Sequence, residues 1–184
     1  MSRYRYQFHT LALALLAIGA GSSVDEGRWP FLDRVVVVDR VGPDHSDYTA
    51  LHVQIVDAAG HRIAKLPPLE GPVFLAPANR QIFSCESNSI SAASAAMAFD
   101  ADGNPAFTFH HRGYLRDCGL TVDQRLYWLH YNVVEQGLAR NMVVVLAADG
   151  SIVHDSAFST GKALTFASGG REYNLAIPPP ELPG

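Results

Sequence analysis

Short apolar runs separated by turn-forming residues recur along most of the chain. Four such runs follow one another near the C-terminal end, at residues 143–147, 152–158, 163–166 and 171–177. The segments between them contain Gly150, Gly161, Gly169 and Gly170, and glycine tolerates the positive φ angles that tight hairpins require. The pattern therefore predicts strands joined in succession as antiparallel hairpins.

The same alternation of runs and turns extends upstream. Predicted strands cover residues 34–41, 51–56, 61–66, 72–75, 80–85, 96–99, 105–111, 120–122 and 125–134. The run of valines from Val35 to Val38 shows no alternation, so this strand is predicted to be central and covered on both faces. Residues 87–97 are rich in alanine and serine, and Ser87 or Asn88 could cap a helix, so we predict a short helix here. A strand of small side chains is the alternative.

Turns that contain glycine recur at a regular interval. Gly60, Gly103 and Gly150 are separated by 43 and 47 residues. An arginine begins the last strand of each predicted unit: Arg80, Arg125 and Arg171. The interval overlaps the length of a β-propeller blade, about 40 to 45 residues, but closed propellers have about four to eight blades. Hairpins of similar length also produce such spacing by coincidence. We therefore predict an all-β fold, an antiparallel β-sandwich built from successive hairpins with at most one or two short helices.

The first 22 residues have the organisation of a secretory signal peptide. Arg3, Arg5 and His9 form a basic flank, residues 11–18 are an apolar run, and residues 17–23 supply small side chains for cleavage. The run is shorter than the about 20 apolar residues that span a bilayer. We therefore expect a single β-rich domain over residues 23–184, in the periplasm or secreted, with no membrane span in the mature chain. A buried first helix is the alternative.

Charge and cysteine content limit the partners and the compartment. Lysine and arginine number 14 against 18 acidic residues, for a formal charge of -4, and an acidic chain without a basic cluster binds nucleic acid poorly. Cys85 and Cys118 are the two cysteines, and in an oxidising compartment we expect them to pair. Closing a loop of this length stabilises a fold by about 3 to 4 kcal/mol. A free thiol is the alternative.

No segment carries a recognisable catalytic or metal-binding motif. Residues 100–104 place glycine fourth, whereas a calcium loop of the EF-hand type requires glycine sixth, so we predict a hairpin turn there. Four histidines lie on predicted strands: His110, His111, His130 and His154. A zinc site needs three or four converging ligands, and these histidines have no diagnostic spacing. We therefore expect no catalytic residue, no metal and no cofactor.

One predicted strand is dense in aromatic residues. Alternation places Trp128 and His130 on one face and Tyr127 and Tyr131 on the other. The strand is therefore either buried on both sides or displayed to a partner, since tryptophan, tyrosine and arginine dominate binding hot spots. We take these four residues and the preceding Arg125 as the candidate binding surface.

These features favour binding over catalysis, because binding needs a shaped surface and catalysis needs convergent titratable groups. We expect an exported, non-enzymatic binding protein of the inhibitor or immunity type, whose partner is another protein. A metal-assisted hydrolase that uses the strand histidines and a structural module of the cell envelope are the alternatives. The sequence predicts no oligomeric state.

Overall fold

A computed structural model describes residues 22–41, 50–88, 93–135, 138–157 and 163–176. These residues form fourteen strands and no helix. In chain order the strands are β1 (Gly27–Phe31), β2 (Arg34–Val41), β3 (Ala50–Val56), β4 (Arg62–Lys65), β5 (Val73–Ala76), β6 (Gln81–Asn88), β7 (Ala93–Asp100), β8 (Pro105–Arg112), β9 (Tyr114–Leu120), β10 (Tyr127–Glu135), β11 (Leu138–Leu146), β12 (Ile152–Ala157), β13 (Ala163–Ser168) and β14 (Arg171–Ala176).

The strands form three four-stranded antiparallel sheets and one hairpin. The first sheet contains β1 to β4, the second β5 to β8 and the third β9 to β12, each in chain order, and β13 pairs with β14. The predicted all-β class is confirmed, and antiparallel hairpin sheets packed together are consistent with a β-sandwich. Within the described residues the strands belong to four separate sheets, counting the hairpin. A four-stranded meander is also the unit of a propeller blade.

Apolar side chains fill the space between each sheet and the next. Val36 and Val38 of the first sheet pack with Ile82 of the second. From the opposite face of the second sheet, Phe83 packs on Tyr127 of the third. A third cluster joins the other face of the third sheet to the hairpin. The second and third sheets therefore bury both faces, because alternate side chains of a strand point to opposite sides.

The turn between the third and fourth strands has the same geometry in all three sheets. The amides of Gly60, Gly103 and Gly150 each donate to the carbonyl three residues earlier, at 3.0 Å. Each of these glycines has a φ above 80°, and the strand register shifts immediately before each turn. This is a type I turn followed by a left-handed glycine and a bulge. The interval seen in the sequence is therefore a structural repeat.

The repeat begins at a different strand from the predicted one. The predicted unit whose last strand begins at Arg80 spans two sheets, because β3 and β4 complete the first sheet and β5 begins the second. Pro67 and Pro68, which lack an amide hydrogen, follow the end of β4, although Leu69 beyond them still bridges to Leu51. The two prolines mark a connection between sheets rather than one within a unit. The prediction differed because turn residues identify a hairpin but not the sheet to which it belongs.

The valine run of β2 is covered on one face only. The strand lies between β1 and β3, as predicted, and Val36 and Val38 are fully buried. Val35 and Val37, however, are partly exposed, so the prediction of burial on both faces is wrong. In the described part of the chain, the first sheet packs on the second with the face that carries Val36 and Val38.

The short helix predicted over residues 87–97 is wrong wherever the structure describes this segment. Strand β6 extends to Asn88 and β7 begins at Ala93, and the two strands pair in antiparallel register. Ala96 and Ala98 are fully buried against the third sheet. Their small side chains let crowded neighbours approach, and this packing outweighs the modest helix preference of alanine.

The predicted disulfide between Cys85 and Cys118 is confirmed. Cys85 lies on β6 and Cys118 on β9, so the bond joins the second sheet to the third inside their shared apolar cluster. Both cysteines are almost completely buried. A buried disulfide of this kind indicates an oxidising, extracellular compartment.

The predicted signal peptide lies outside the described residues except for Ser22. Its cleavage, and the extent of the domain over residues 23–184, stay predictions. Among the residues that the structure describes, no helical segment could cross a membrane.

Candidate binding groove beside the third sheet

The aromatic strand predicted as a binding surface is β10, and the structure buries it. Tyr127, Trp128, His130 and Tyr131 are at most 8% exposed, whereas Arg125 is exposed in the loop before the strand. The two tyrosines face the second sheet and the tryptophan faces the hairpin. Of these five predicted binding residues, Arg125 and the edge of Trp128 are therefore the two that could contact a partner, and such contact stays a prediction.

Tyr127 is a structural residue. Its hydroxyl accepts a hydrogen bond from Asn79 Nδ2 at 3.0 Å and donates one to Gln81 Oε1. Its ring stacks on Phe83 with 4.5 Å between the ring centroids. Burial raises the pKa of Tyr127 to about 12, against the opposing effect of the Asn79 hydrogen bond. The phenol is therefore neutral and joins the second sheet to the third.

His130 belongs to a polar network that crosses β9, β10 and β11. With its amide oriented to suit its neighbours, Asn132 accepts from Arg116 Nε at 2.8 Å and donates to Asn141. Asn141 in turn bonds His130. Burial lowers the pKa of His130, although Asn141 and Asp117 oppose the shift, and burial raises the pKa of Asp117. Within this network His130 is buried and Arg116 is exposed.

The other strand histidines do not converge on His130. The ring of His111 packs tilted against Tyr131 with 4.0 Å between ring centroids, and His154 bonds Ser156 Oγ at 2.9 Å. The residues that the structure describes contain no group of three or more histidine, cysteine, aspartate or glutamate side chains placed to hold a metal. The hydrolase alternative therefore has no observed ligand set in this part of the chain.

A groove opens where the third sheet meets the hairpin. Its volume is about 510 Å³. Leu120, Val122, Asp123 and Trp128 line it on the side of the third sheet, and β14 lines it on the other side. Trp128 lies at its floor, while Val122 lies at its mouth and is 78% exposed. Apolar surface with a few polar groups at its edge is typical of a binding site.

Gly119 explains how the indole forms this floor. A Cβ atom at position 119 would lie 2.8 Å from Cζ2 of Trp128, closer than packed carbon atoms approach, so the bare glycine lets the ring lie across β9. The indole Nε1 donates to the Leu120 carbonyl at 3.2 Å. This bond fixes the ring and satisfies its buried donor.

Asp123 ties the loop after β9 to the hairpin. Its carboxylate accepts from Thr121 Oγ1 at 2.8 Å, from the Arg125 amide at 3.2 Å, from Tyr173 Oη at 3.1 Å and from Arg171 Nη1 at 3.2 Å. Burial alone would raise the pKa of Asp123, but these hydrogen bonds outweigh it and lower the pKa. The carboxylate is ionised and well supplied with donors, so it anchors the groove wall.

The sequence did not single out the groove. It placed Val122 at the end of a strand, whereas β9 ends at Leu120 and Val122 lies in the turn. An aliphatic residue beside the polar residues of a turn was the available signal, because turns favour glycine, proline, asparagine, aspartate and serine. No pattern in the neighbouring sequence predicts that Arg171 and Tyr173 contact the loop after β9.

Comparison with known proteins identifies no relatives by sequence. No protein-family model and no curated protein matches the chain. Among solved structures, a chain described as "Crystal structure of the eukaryotic initiation factor" is similar with a TM-score of 0.48 and 15% identity. The match covers 82% of this chain and 33% of that chain. The chain thus spans about a third of the length of that protein.

Proposed function

We propose that this protein is a non-enzymatic binding protein, periplasmic or secreted, that holds another protein in the groove between its third sheet and its hairpin. The observation that carries the proposal is Val122, which is 78% exposed at the mouth of the groove. Keeping an aliphatic side chain in water is unfavourable, and its complete burial by a partner stabilises a complex by about 1.5 to 3 kcal/mol. A protein of the inhibitor or immunity type acts by binding another protein, and the partner would bury Val122.

The side chains around the groove support protein recognition. Trp128 and Tyr173 line it, and Arg171 lies at its edge. Arg125 is exposed in the loop that forms one wall. Tryptophan, tyrosine and arginine are the residue types that carry most of the binding energy in protein interfaces. Their position beside an exposed valine favours a small apolar contact with a polar margin.

The groove offers little for catalysis. Its carboxylate, Asp123, has a lowered pKa and several hydrogen-bond donors, so it is poorly suited to take up a proton at neutral pH. A general acid or base works best with a pKa near the operating pH, and His130 is buried in the polar network rather than placed in the groove. These observations favour binding over the hydrolase alternative.

A matched pair of variants tests the proposal. Val122→Asp places a charge at the mouth of the groove, and Val134→Asp makes the same change at a position that is 61% exposed near the end of β10. Both proteins and the unaltered protein are used to capture partners from periplasmic extract and medium, with quantification of each captured protein. We expect one partner to be lost with Val122→Asp and retained with Val134→Asp. Equal capture by all three proteins would reject the groove as the binding site.

A further inference from the structure

The hairpin packs on one face of the third sheet. On one side, Phe166 of β13 stacks on His154 of β12 with 5.3 Å between ring centroids. On the other side, Tyr173 of β14 reaches only as far as Asp123, in the loop after β9. Two strands therefore lie over a sheet of four. The groove lies between β14 and the side chains of Leu120, Val122 and Trp128.

The groove follows the backbone edge of β14. All five consecutive residues from Arg171 to Leu175 line it. Neighbouring side chains on a strand point to opposite faces, so a cavity that touches five in a row must run along the edge of the strand rather than over one face. Within the described ranges, no strand pairs with β14 on the side away from β13.

The turn of the hairpin shows which backbone groups face the groove. Gly169 and Gly170 have φ values of 55° and 75°, the two left-handed residues of a type I′ turn. In such a two-residue hairpin the flanking pair, Ser168 and Arg171, exchanges hydrogen bonds, and hydrogen-bonded pairs then alternate along the strands. The amide and carbonyl groups of Glu172 and Asn174 therefore point away from β13, towards the groove.

We infer that the groove accepts an extended strand of the partner protein, which pairs antiparallel with the free edge of β14. Every strand pair in the described residues is antiparallel, and an exposed strand edge is a template for a further strand. The inference rests on the proposed function, because it specifies how the same groove holds its partner. Backbone hydrogen bonds then supply the affinity for the partner strand, and its alternate side chains supply the specificity.

The two faces of the added strand meet different surroundings. Side chains that point inwards meet Trp128 and Leu175, which already belong to the apolar cluster that holds the hairpin on the third sheet. Side chains that point outwards lie beside the exposed Glu172 and Asn174. The partner segment is therefore a strand of alternating apolar and polar residues, and it extends an existing apolar interface.

The free edge also excludes a simple apolar ligand as the expected occupant. Apolar molecules would cover Trp128 but would leave the amides and carbonyls of Glu172 and Asn174 without partners, and an unsatisfied polar group that loses contact with water is unfavourable. A polypeptide backbone satisfies both requirements at once. This is the reason for assigning a strand rather than a small molecule.

A peptide probe tests the pairing directly. Residues 50–57 of this protein supply a suitable peptide, because β3 already forms an antiparallel strand whose Val53 and Ile55 face inwards. Nuclear magnetic resonance with this peptide should show slower hydrogen exchange at the amides of Glu172 and Asn174. The amides of Arg171 and Tyr173, which already pair with β13, should change little. Unchanged exchange at Glu172 and Asn174 in saturating peptide would overturn the inference.

A proline substitution provides the matched control. Asn174→Pro removes the amide hydrogen that faces the groove, whereas Asn174→Ala keeps it. Fluorescence titration of the labelled peptide should show at least about a fivefold loss of affinity for Asn174→Pro and little change for Asn174→Ala, as expected when a buried hydrogen bond loses its donor. If Asn174→Pro does not fold, two N-methylated peptides replace it. The peptide methylated at the amides that face β14 should not bind, and the peptide methylated at the amides of the opposite edge should bind. Equal binding by both forms would contradict strand pairing.

The outcomes separate this inference from the proposed function. If Val122→Asp removes the captured partner while Asn174→Pro retains it, the groove binds its partner without strand addition. If both variants retain it, the groove itself is rejected. Concentration-dependent dimers of the unaltered protein, lost in Asn174→Pro, would show that β14 pairs with a second copy and would overturn the assignment to a partner strand.

Discussion

Arg34 and Gln81 occupy the same position in successive sheets, and each hydrogen-bonds a turn carbonyl 67 residues further along the chain. Each is the first residue of the second strand of its sheet. Arg34 Nη1 donates to the Ala101 carbonyl at 3.1 Å and Gln81 Nε2 to the Ala148 carbonyl at 3.0 Å. The repeat therefore includes the joint between neighbouring sheets as well as the sheets themselves.

Loss of the second joint should destabilise the fold. Gln81 is buried, and its amide also accepts from Tyr127 Oη, so Gln81→Ala leaves the Ala148 carbonyl and the phenol short of partners. We expect the free energy of unfolding to fall by about 2 to 4 kcal/mol, since each unsatisfied buried group costs about 1 to 3 kcal/mol. Urea unfolding provides the measurement. Arg28→Ala, at an exposed position on β1, should change stability by less than about 0.5 kcal/mol. An equal loss in both variants would contradict a stabilising role for the Gln81 hydrogen bonds between the second and third sheets.

Removing the disulfide should lower stability without changing the fold. The double variant Cys85→Ala and Cys118→Ala releases a loop with a sequence separation of 33, for which loop-closure entropy predicts a loss of about 3 to 4 kcal/mol. For a protein of this size the melting temperature should fall by about 6 to 16 °C. Calorimetry and non-reducing peptide mapping of the unaltered protein check both parts. Two free thiols in protein alkylated without reduction would contradict the pairing.

Trp128 should contribute to the core even though it also lines the groove. Trp128→Ala should lower the free energy of unfolding by about 3 to 5 kcal/mol through the cavity that it leaves. Gly119→Ala should cost about 1 to 3 kcal/mol, because the new Cβ would lie 2.8 Å from the indole. In the Trp128→Ala background, Gly119→Ala should cost much less, since the ring is gone. Additive losses in the double variant would show that the two residues do not contact each other.

The stability of the protein should fall in mild acid because of His130. Burial lowers the pKa of His130 below its ordinary value of 6.5. Below about pH 6.5 the unfolded chain therefore binds a proton that the folded protein resists, and stability is lost as the pH falls through this value. Asp117 acts in the opposite direction and at lower pH, because burial raises its pKa and protonation relieves the cost of the buried charge.

Comparison with His130→Gln isolates this effect. The loss of stability between pH 7 and pH 5.5, measured by urea unfolding, should be smaller in the variant than in the unaltered protein. The same loss in both proteins would show that another group is responsible. The absolute stability of the variant is not the criterion, because glutamine also changes the hydrogen bond to Asn141.

Local properties of the chain explain what the sequence predicted well. The turns at Gly60, Gly103 and Gly150, and the strands on either side of them, follow from turn chemistry and from apolar runs that involve only neighbouring residues. The pairing of Cys85 with Cys118 was predictable because the chain has just two cysteines and an oxidising compartment was expected. These predictions needed no knowledge of which sheets pack together.

Properties that depend on distant neighbours were not predictable in the same way. The exposure of Val35 and Val37 depends on which face of the first sheet packs on the second, and the strand form of residues 93–97 depends on crowding by the third sheet. The groove forms where the loop after β9 and Trp128 meet β14, which lies more than 40 residues further along the chain. No run of residues records that arrangement, which is why the sequence pointed to the aromatic strand β10 rather than to the loop and strand beside it.

Site-specific photo-crosslinking tests the central claim, that the partner binds at the groove, most directly. A photoreactive amino acid is placed at position 122, at the mouth of the groove, or at position 134, the exposed control, and cells are irradiated before fractionation. We expect a crosslinked partner from position 122 and none from position 134, with the attachment point in an extended segment of the partner. An adduct from position 134 alone, or the same adduct from both positions, would contradict binding at the groove.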